Sequence, residues 1–304
     1  MSAEKFLNEA ELLGFENLGY LELVVVVLNY NQRNFLSDSI NSVLQQEWCS
    51  DWRILLHDDA SSDGSADLIR SYLDRYPGKI LAVLQKNNKF QKGFNIPHEL
   101  QKIVPSTYIS RLDGDDIFIS GDKLIRQVGH LKADPSIGLA YHDYLIVNED
   151  GAHVALINFG NHNLKSWFRL LLGNFIPTSS AVYRSDMSLD VPEELGRSRI
   201  QDWPLWAIIE SRGKIAHIQG IFSGYRIHNN NSFANKSNSE FIEDTIKVHK
   251  LLSHSLKGYR RCAWRGMSYV YIVSSRMNSV TFGVSLRFLT KLRSVLLGYQ
   301  ESSY

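Results

Sequence analysis

The run "LELVVVVL", Leu21 to Leu28, constrains the fold more than any other stretch of this chain. A strand with one wet face alternates apolar and polar residues. This one does not, apart from Glu22, so both of its faces must be covered, the pattern of a parallel sheet sandwiched by helices. The residues after it keep that rhythm. Phe35, Leu36, Ile40, Val43 and Leu44 recur at helical spacing, and "WRILLH" (Trp52–His57) is again a strand. Leu68, Ile69, Tyr72 and Leu73 form a helical stripe behind a Ser- and Asp-rich cap. "KILAVLQ" (Lys79–Gln85) and "STYISRL" (Ser106–Leu112) are further strands. Leu124, Val128 and Leu131 lie on one side of a helix that stops at Asp134-Pro135. Strand–helix–strand units at this interval predict an α/β fold with a mostly parallel, Rossmann-like sheet flanked by helices. From about Gly138 the pattern loosens. "QDWPLWAIIESRGKI" reads as a helix, and past about Ser237 the chain reads as helices throughout. The expected division is an extension over 1–20, the α/β domain over 21–236 and a basic helical appendage over 237–304.

With 304 residues and 44% hydrophobic content the chain can bury a large core. Its formal charge of +1 excludes a general polyanion binder. Cys49 and Cys262 are too far apart for a metal-ligand spacing and form no disulfide framework. The longest aliphatic run is too short to span a bilayer, and the first twenty residues show no secretory signal. These features predict a cytoplasmic protein.

Polar residues collect where the strands stop: Asn29 to Asn31, then Asp58 and Asp59, then Asp113, Asp115 and Asp116 in "RLDGDDIF". In open α/β sheets ligands bind beyond the carboxyl ends of the strands, so these clusters point at one crevice. Like charges repel, and the third cluster needs a positive partner. Asp-Gly can also mark a plain turn. A calcium loop fails on spacing, because Ile117, Phe118 and Leu124 stand where a ligand, Gly and Glu are required. A hard divalent cation held by one or two carboxylates and a phosphorylated ligand fits.

The segments "VVVVLNYNQRNFLSDSINSVLQQEW", "HDDASSDGS", "YISRLDGDDIF", "QDWPLWAII" and "YRIHNNNS" occur in the order seen in inverting family 2 glycosyltransferases of the GT-A fold. The resemblance runs from Leu21 to Ser232 and is strongest to bacterial members that build surface polysaccharides. It implies a nucleotide-diphosphate sugar as donor, a glycan or lipid-linked acceptor, and magnesium or manganese as cofactor. Residue by residue, it implies that Tyr30 stacks on the base and that Asp59 hydrogen-bonds it, with Asp58 before it at the nucleotide site and helping to position the loop. Asp113 and Asp115 match the family's Asp-x-Asp pair near the diphosphate and metal, with Asp116 adjoining and His228 where many members place a histidine. Asp202 matches the catalytic base. Four of these residues also have plainer readings: Tyr30 as a turn aromatic, Asp59 and Asp202 as helix caps, and His228 as a surface histidine.

The chain departs from the family where "NNKFQKGFNIPHELQKIV" lacks the usual Ala-Arg-Asn segment, so Lys92 or Arg111 is expected to supply positive charge to the donor. A sugar-phosphate nucleotidyltransferase would need a Gly-rich basic loop after the first strand, and "LNYNQRNF" is not one. A non-catalytic relative that binds nucleotide-sugar or glycan is the alternative from another class.

No acidic residue occurs from Thr245 to Gln300, while Lys257, Arg260, Arg261, Arg265, Arg276, Arg287, Lys291 and Arg293 lie among aromatics and leucines. Such a stretch can sit on anionic lipid, or pack its leucines on the protein. Nucleic acid is not expected, because no reader motif accompanies the charge.

Overall fold

The structure, a computed structural model, describes residues 3–16, 18–48, 51–159, 165–229 and 238–275. In chain order its elements are α1 (Ala3–Leu7), β1 (Glu11–Leu13), β2 (Leu21–Asn29), α2 (Arg33–Leu44), β3 (Trp52–Asp58), α3 (Ser65–Arg75), β4 (Ile80–Leu84), α4 (Ile96–Ile103), β5 (Ser106–Asp113) and β6 (Ile117–Phe118). Then come α5 (Lys123–Ala133), β7 (Ile137–Val147), β8 (His153–Ile157), α6 (Ser166–Leu172), β9 (Val182–Arg184), α7 (Asp202–Arg212), β10 (Lys214–Arg226), α8 (Asn238–Ser255) and α9 (Gly258–Ser275).

The strands form one sheet in the order β1-β4-β3-β2-β5-β9-β7-β10-β6, with β8 paired to β7. Strand β2 lies at the middle of its parallel part, hydrogen-bonded to β3 on one side and β5 on the other. Its continuous apolar run is explained by that position. Val24 and Val26 face one core layer, with α4, α6 and α7, while Leu23, Val25 and Val27 face the other, with α2, α3 and α5. Only part of the sheet is parallel: β4, β3, β2 and β5 run together and β10 runs with β7. The pairs β5–β9, β9–β7, β10–β6, β7–β8 and β1–β4 are antiparallel. The antiparallel part includes β6 and β9, of two and three residues, too short to carry a period, which is why the sequence rhythm loosens near Gly138.

Local chemistry sets the element starts at the crevice. Asp63 Oδ1 accepts the Ser65 backbone N–H at 3.0 Å, opening α3, and Oδ2 accepts that of Arg33 at 2.9 Å, opening α2. One carboxylate therefore caps two helices. Asn31 follows β2 in the left-handed region (φ 55°), which asparagine tolerates, and its side chain accepts the Ser62 N–H.

Helices α8 and α9 pack onto α7. Val248, Leu252, Leu256 and Trp264 belong to the same buried layer as Trp203 and Trp206. The leucine-rich segment around Leu286, Leu289, Leu292 and Leu296 lies outside the described residues.

Candidate active site

Loops at the carboxyl ends of β2, β3 and β5 meet the start of α7 around a cavity of about 880 Å³. Tyr30, Asp59, Arg111, Asp113, Asp115, Asp116 and Asp202 all line it. This volume lies within the usual range for small-molecule sites.

The acidic loop is built on Gly114. Its N–H donates to Leu28 O at 2.8 Å, and a Cβ there would lie 2.9 Å from Asn29 Oδ1. Glycine there lets the loop pack against the end of β2 without displacing Asn29. Arg226 then clamps the loop from β10. Its backbone N–H donates to Asp116 Oδ1 (2.9 Å), its Nε to the Asp115 carbonyl (2.8 Å) and its Nη2 to Asp38 (3.1 Å). The guanidinium is buried and stacks 4.8 Å from the Phe35 ring centre. Sequence reasoning alone gives Arg226 no role, although it stands within "YRIH" two residues before His228. Only the fold brings it beside three carboxylates.

Asp115 Oδ2 accepts from Gln32 Nε2 at 3.0 Å and lies 2.9 Å from His228 Nε2. His228 is buried against Phe35, not a surface residue. Burial and the charge of Asp115 push the Asp113 carboxyl up to about 7, and burial together with Asp115 and Asp113 pushes Asp116 well up. Full ionisation of the cluster would therefore place more negative charge there than its surroundings neutralise. A hard divalent cation fits that oxygen donor set. Among the described residues no three His, Cys, Asp or Glu side chains form a ready-made cage, so part of the shell would have to come from a ligand.

Of the two cations expected near the donor, Lys92 is exposed and off the cavity, whereas Arg111 lines it and is 4% exposed. Its Nε and Nη1 have no hydrogen-bond partner among the described residues. Two orphaned donors on a buried guanidinium are costly unless a ligand anion completes them.

Asp202 opens α7. Its Oδ1 accepts the Trp203 N–H at 2.8 Å and Oδ2 accepts Asn174 Nδ2 at 2.7 Å. Burial raises its pKa, against the pull of Arg111. The carboxylate thus serves the helix start and faces the cavity at once.

Two expected contacts differ in detail. Asp58 is not among the residues lining the cavity: its Oδ1 accepts Asn29 Nδ2 and Ser61 Oγ, each at 2.6 Å, and Oδ2 accepts the Ser61 N–H. Alternation along β3 sends Asp58 to the side opposite His57, and it ties the β2 and β3 loops together. Asp59 does line the cavity, but its oxygens already accept the Lys89 and Phe90 backbone N–H groups at 2.7 and 3.0 Å. Burial raises its pKa despite them.

A second, more open depression of about 480 Å³, lined by Asn148, Glu149, Asp150, Ile227, His228 and Asn229, adjoins the cluster at His228.

Strand ends, an acidic loop beside a buried arginine and a carboxylate on an opposing helix meet where open α/β sheets bind their ligands. The family model for glycosyl transferase family 2 matches residues 24–187, and the chain belongs to that family. An uncharacterized glycosyltransferase of Nostoc sp. is 30% identical over 72% of this chain and 70% of its own length. An uncharacterized protein of Mycobacterium tuberculosis is 27% identical over 67% of this chain, a match that spans 58% of that relative's length. A UDP-Glc:alpha-D-GlcNAc-diphosphoundecaprenol beta-1,3-glucosyltransferase of Escherichia coli is 24% identical over 79% of this chain and 94% of its own.

Solved structures share the GT-A fold. TarS of S. aureus in complex with UDP-GlcNAc superposes with TM-score 0.62 at 14% identity, over 91% of this chain and 84% of that one. A mannosyltransferase of Pyrobaculum calidifontis in complex with GDP-Man and Mn2+ gives TM-score 0.55 at 10% identity, over 92% and 85%.

Proposed function

We propose that the protein transfers a sugar, with inversion, from a nucleoside-diphosphate sugar to a hydroxyl of a glycan or lipid-linked acceptor in bacterial polysaccharide assembly. The observation that carries this reading is the meeting of Asp113, Asp115 and Asp202 around one cavity with buried Arg111, whose Nε and Nη1 have no hydrogen-bond partner among the described residues. The names of the relatives support it: one acts on a diphosphoundecaprenol-linked sugar, and two structural neighbours hold nucleotide sugars.

In this reading Tyr30, which is 45% exposed at the rim, stacks on the base, and Asp59 faces the base edge. Arg111 donates to donor oxygens. Asp113 and Asp115 hold the magnesium or manganese, with Asp116 and His228 adjoining; when bound, the ion supplies positive charge against the charge developing on the diphosphate. Asp202 takes the proton of the acceptor hydroxyl as that oxygen bonds to the anomeric carbon. The bond from that carbon to the diphosphate breaks, and its electron pair leaves with the diphosphate. One displacement on one base inverts the configuration.

The testing experiment is a hydrolysis screen of nucleotide sugars with magnesium or manganese. One donor is expected to be slowly hydrolysed, and release is expected to stop in chelator. If no nucleotide sugar is bound or hydrolysed, the reading fails. A non-catalytic relative would bind a donor and never turn it over.

A lipid-linked acceptor would favour contact with an anionic membrane at the inner face. The outward side of α9 carries Arg261 and Arg265 with exposed Tyr259 (63%), Tyr269 (70%) and Val270 (41%). No helix among the described residues is long and apolar enough to cross a membrane. Arg261→Glu with Arg265→Glu is expected to release the protein from anionic liposomes at low salt, and wild-type binding should weaken as salt rises. Equal sedimentation of both proteins with vesicles, or of neither, would leave α9 as packing surface alone.

A further inference from the structure

Residues 5–13 precede the stretch matched by the family model, yet they run alongside the cavity wall. Strand β1 pairs antiparallel with β4, Leu13 to Ala82, Leu12 to Val83 and Glu11 to Leu84. If the segment only covered a sheet edge, contact would end there. It continues upward instead. Asn87 Nδ2 donates to Glu9 Oε2 at 2.9 Å, and Lys89 Nζ donates to the carbonyls of Lys5 and Asn8 at 3.1 and 3.2 Å. Lys89 is 4% exposed, so its ammonium depends on those carbonyls.

The backbone of the same lysine reaches the site. The N–H groups of Lys89 and Phe90 hold the two oxygens of Asp59, and Asn88, Phe90 and Gln91 line the cavity. A second line of contact passes through Phe6. Its ring is fully buried and stacks on His57 with centroids 5.9 Å apart and planes 16° apart. His57 is itself a lining residue, 1% exposed, and its Nε2 has no hydrogen-bond partner among the described residues.

We propose that residues 5–13 position the nucleoside half of the donor cavity. Phe6 backs the imidazole of His57, and the Lys5 and Asn8 carbonyls anchor Lys89 so that its backbone fixes the Asp59 carboxylate. The proposal rests on the reading of the cavity as a nucleotide-sugar site. Phe6 and Lys89 are positioning residues, acting through His57 and Asp59.

The test uses the full chain and three variants: Phe6→Ala, Lys89→Met and, as a control on the same segment away from the wall, Leu12→Ala. UDP and GDP binding is measured by calorimetry with manganese, turnover by donor hydrolysis, and backbone order by hydrogen exchange at the Lys89 and Phe90 amides. Lys89→Met keeps the aliphatic stem and removes the ammonium, so it carries the test should Phe6→Ala fail to fold. Positioning predicts a Kd raised about tenfold, the scale of one buried hydrogen bond. It also predicts faster exchange at both amides and turnover at saturating donor within about twofold of wild type. Leu12→Ala should change neither affinity nor exchange. Unchanged affinity and exchange in Lys89→Met would overturn the proposal while leaving the donor reading intact. If the wild type binds neither UDP nor GDP, the donor reading falls and takes this proposal with it.

Discussion

Asp202→Asn is expected to lower turnover by about 10²–10⁴-fold, the usual contribution of a general base. Asparagine keeps the shape and can still accept the Trp203 N–H that Asp202 Oδ1 now takes at 2.8 Å. Asparagine also starts helices about as well as aspartate, so α7 should stay intact, with a modest fall in melting temperature from loss of the Asn174 Nδ2 bond that Oδ2 now accepts at 2.7 Å. What is lost is the capacity to take a proton. Burial raises the pKa of this carboxyl, bringing it closer to the range where a base works well near neutral pH. Turnover should therefore fall as pH drops through that raised pKa, because the protonated form is inactive. Donor affinity should change little, since the proposed nucleotide contacts are Tyr30, Asp59 and the acidic loop. Near-normal transfer by the variant would reduce Asp202 to a helix-starting residue and favour the non-catalytic alternative.

The parallel half of the sheet and the residues at its strand ends were legible because each rests on a local pattern. A strand buried on both faces must be apolar throughout, and Leu21–Leu28 is. The helices over 33–44, 65–75 and 123–133 each have a one-sided apolar stripe. The mixed half was not legible in the same way. Strand β9 has three residues and β6 has two, too short for any periodicity to show. Helix α7 is legible as a helix over 201–215, although burial of Trp203, Leu205, Trp206, Ile208 and Ile209 on all sides leaves it no polar face; its end at Arg212, where β10 soon begins, is not.

The same distinction holds within the site. Asp113, Asp115 and Asp202 stood out as carboxylates in motifs. Arg226, Gln32 and Asn174 did not, because each matters only through a partner far away in sequence: Arg226 through Asp115 and Asp116, Gln32 through Asp115, Asn174 through Asp202. Lys92 and Arg111 were equivalent as cations in the sequence. Their places in the fold separate them, since Arg111 lies inside β5, which is buried on both faces there, while Lys92 lies in an exposed turn.

Asp115→Asn is expected to remove the gain in UDP or GDP affinity that manganese or magnesium gives the wild type, and to cut turnover by about 10³-fold or more. Asparagine is the informative replacement here. It can still accept from Gln32 Nε2 and face His228 Nε2, the two contacts that Asp115 Oδ2 makes at 3.0 and 2.9 Å, so the loop clamped by Arg226 keeps its shape. What it removes is one negative charge from a buried cluster. In the absence of a cation that charge is a burden, because it repels Asp113 and Asp116 and helps hold both carboxyls above their ordinary range. The variant should therefore melt no lower than the wild type in chelator, while failing to gain the melting-temperature rise that a cation with nucleoside diphosphate gives the wild type. A residue kept only for the fold would show the reverse, a lower melting temperature with ligand response preserved. Full wild-type turnover in excess chelator, or an Asp115→Asn enzyme with an intact cation response, would take the metal away from this loop and leave Arg111 as the positive charge facing the donor.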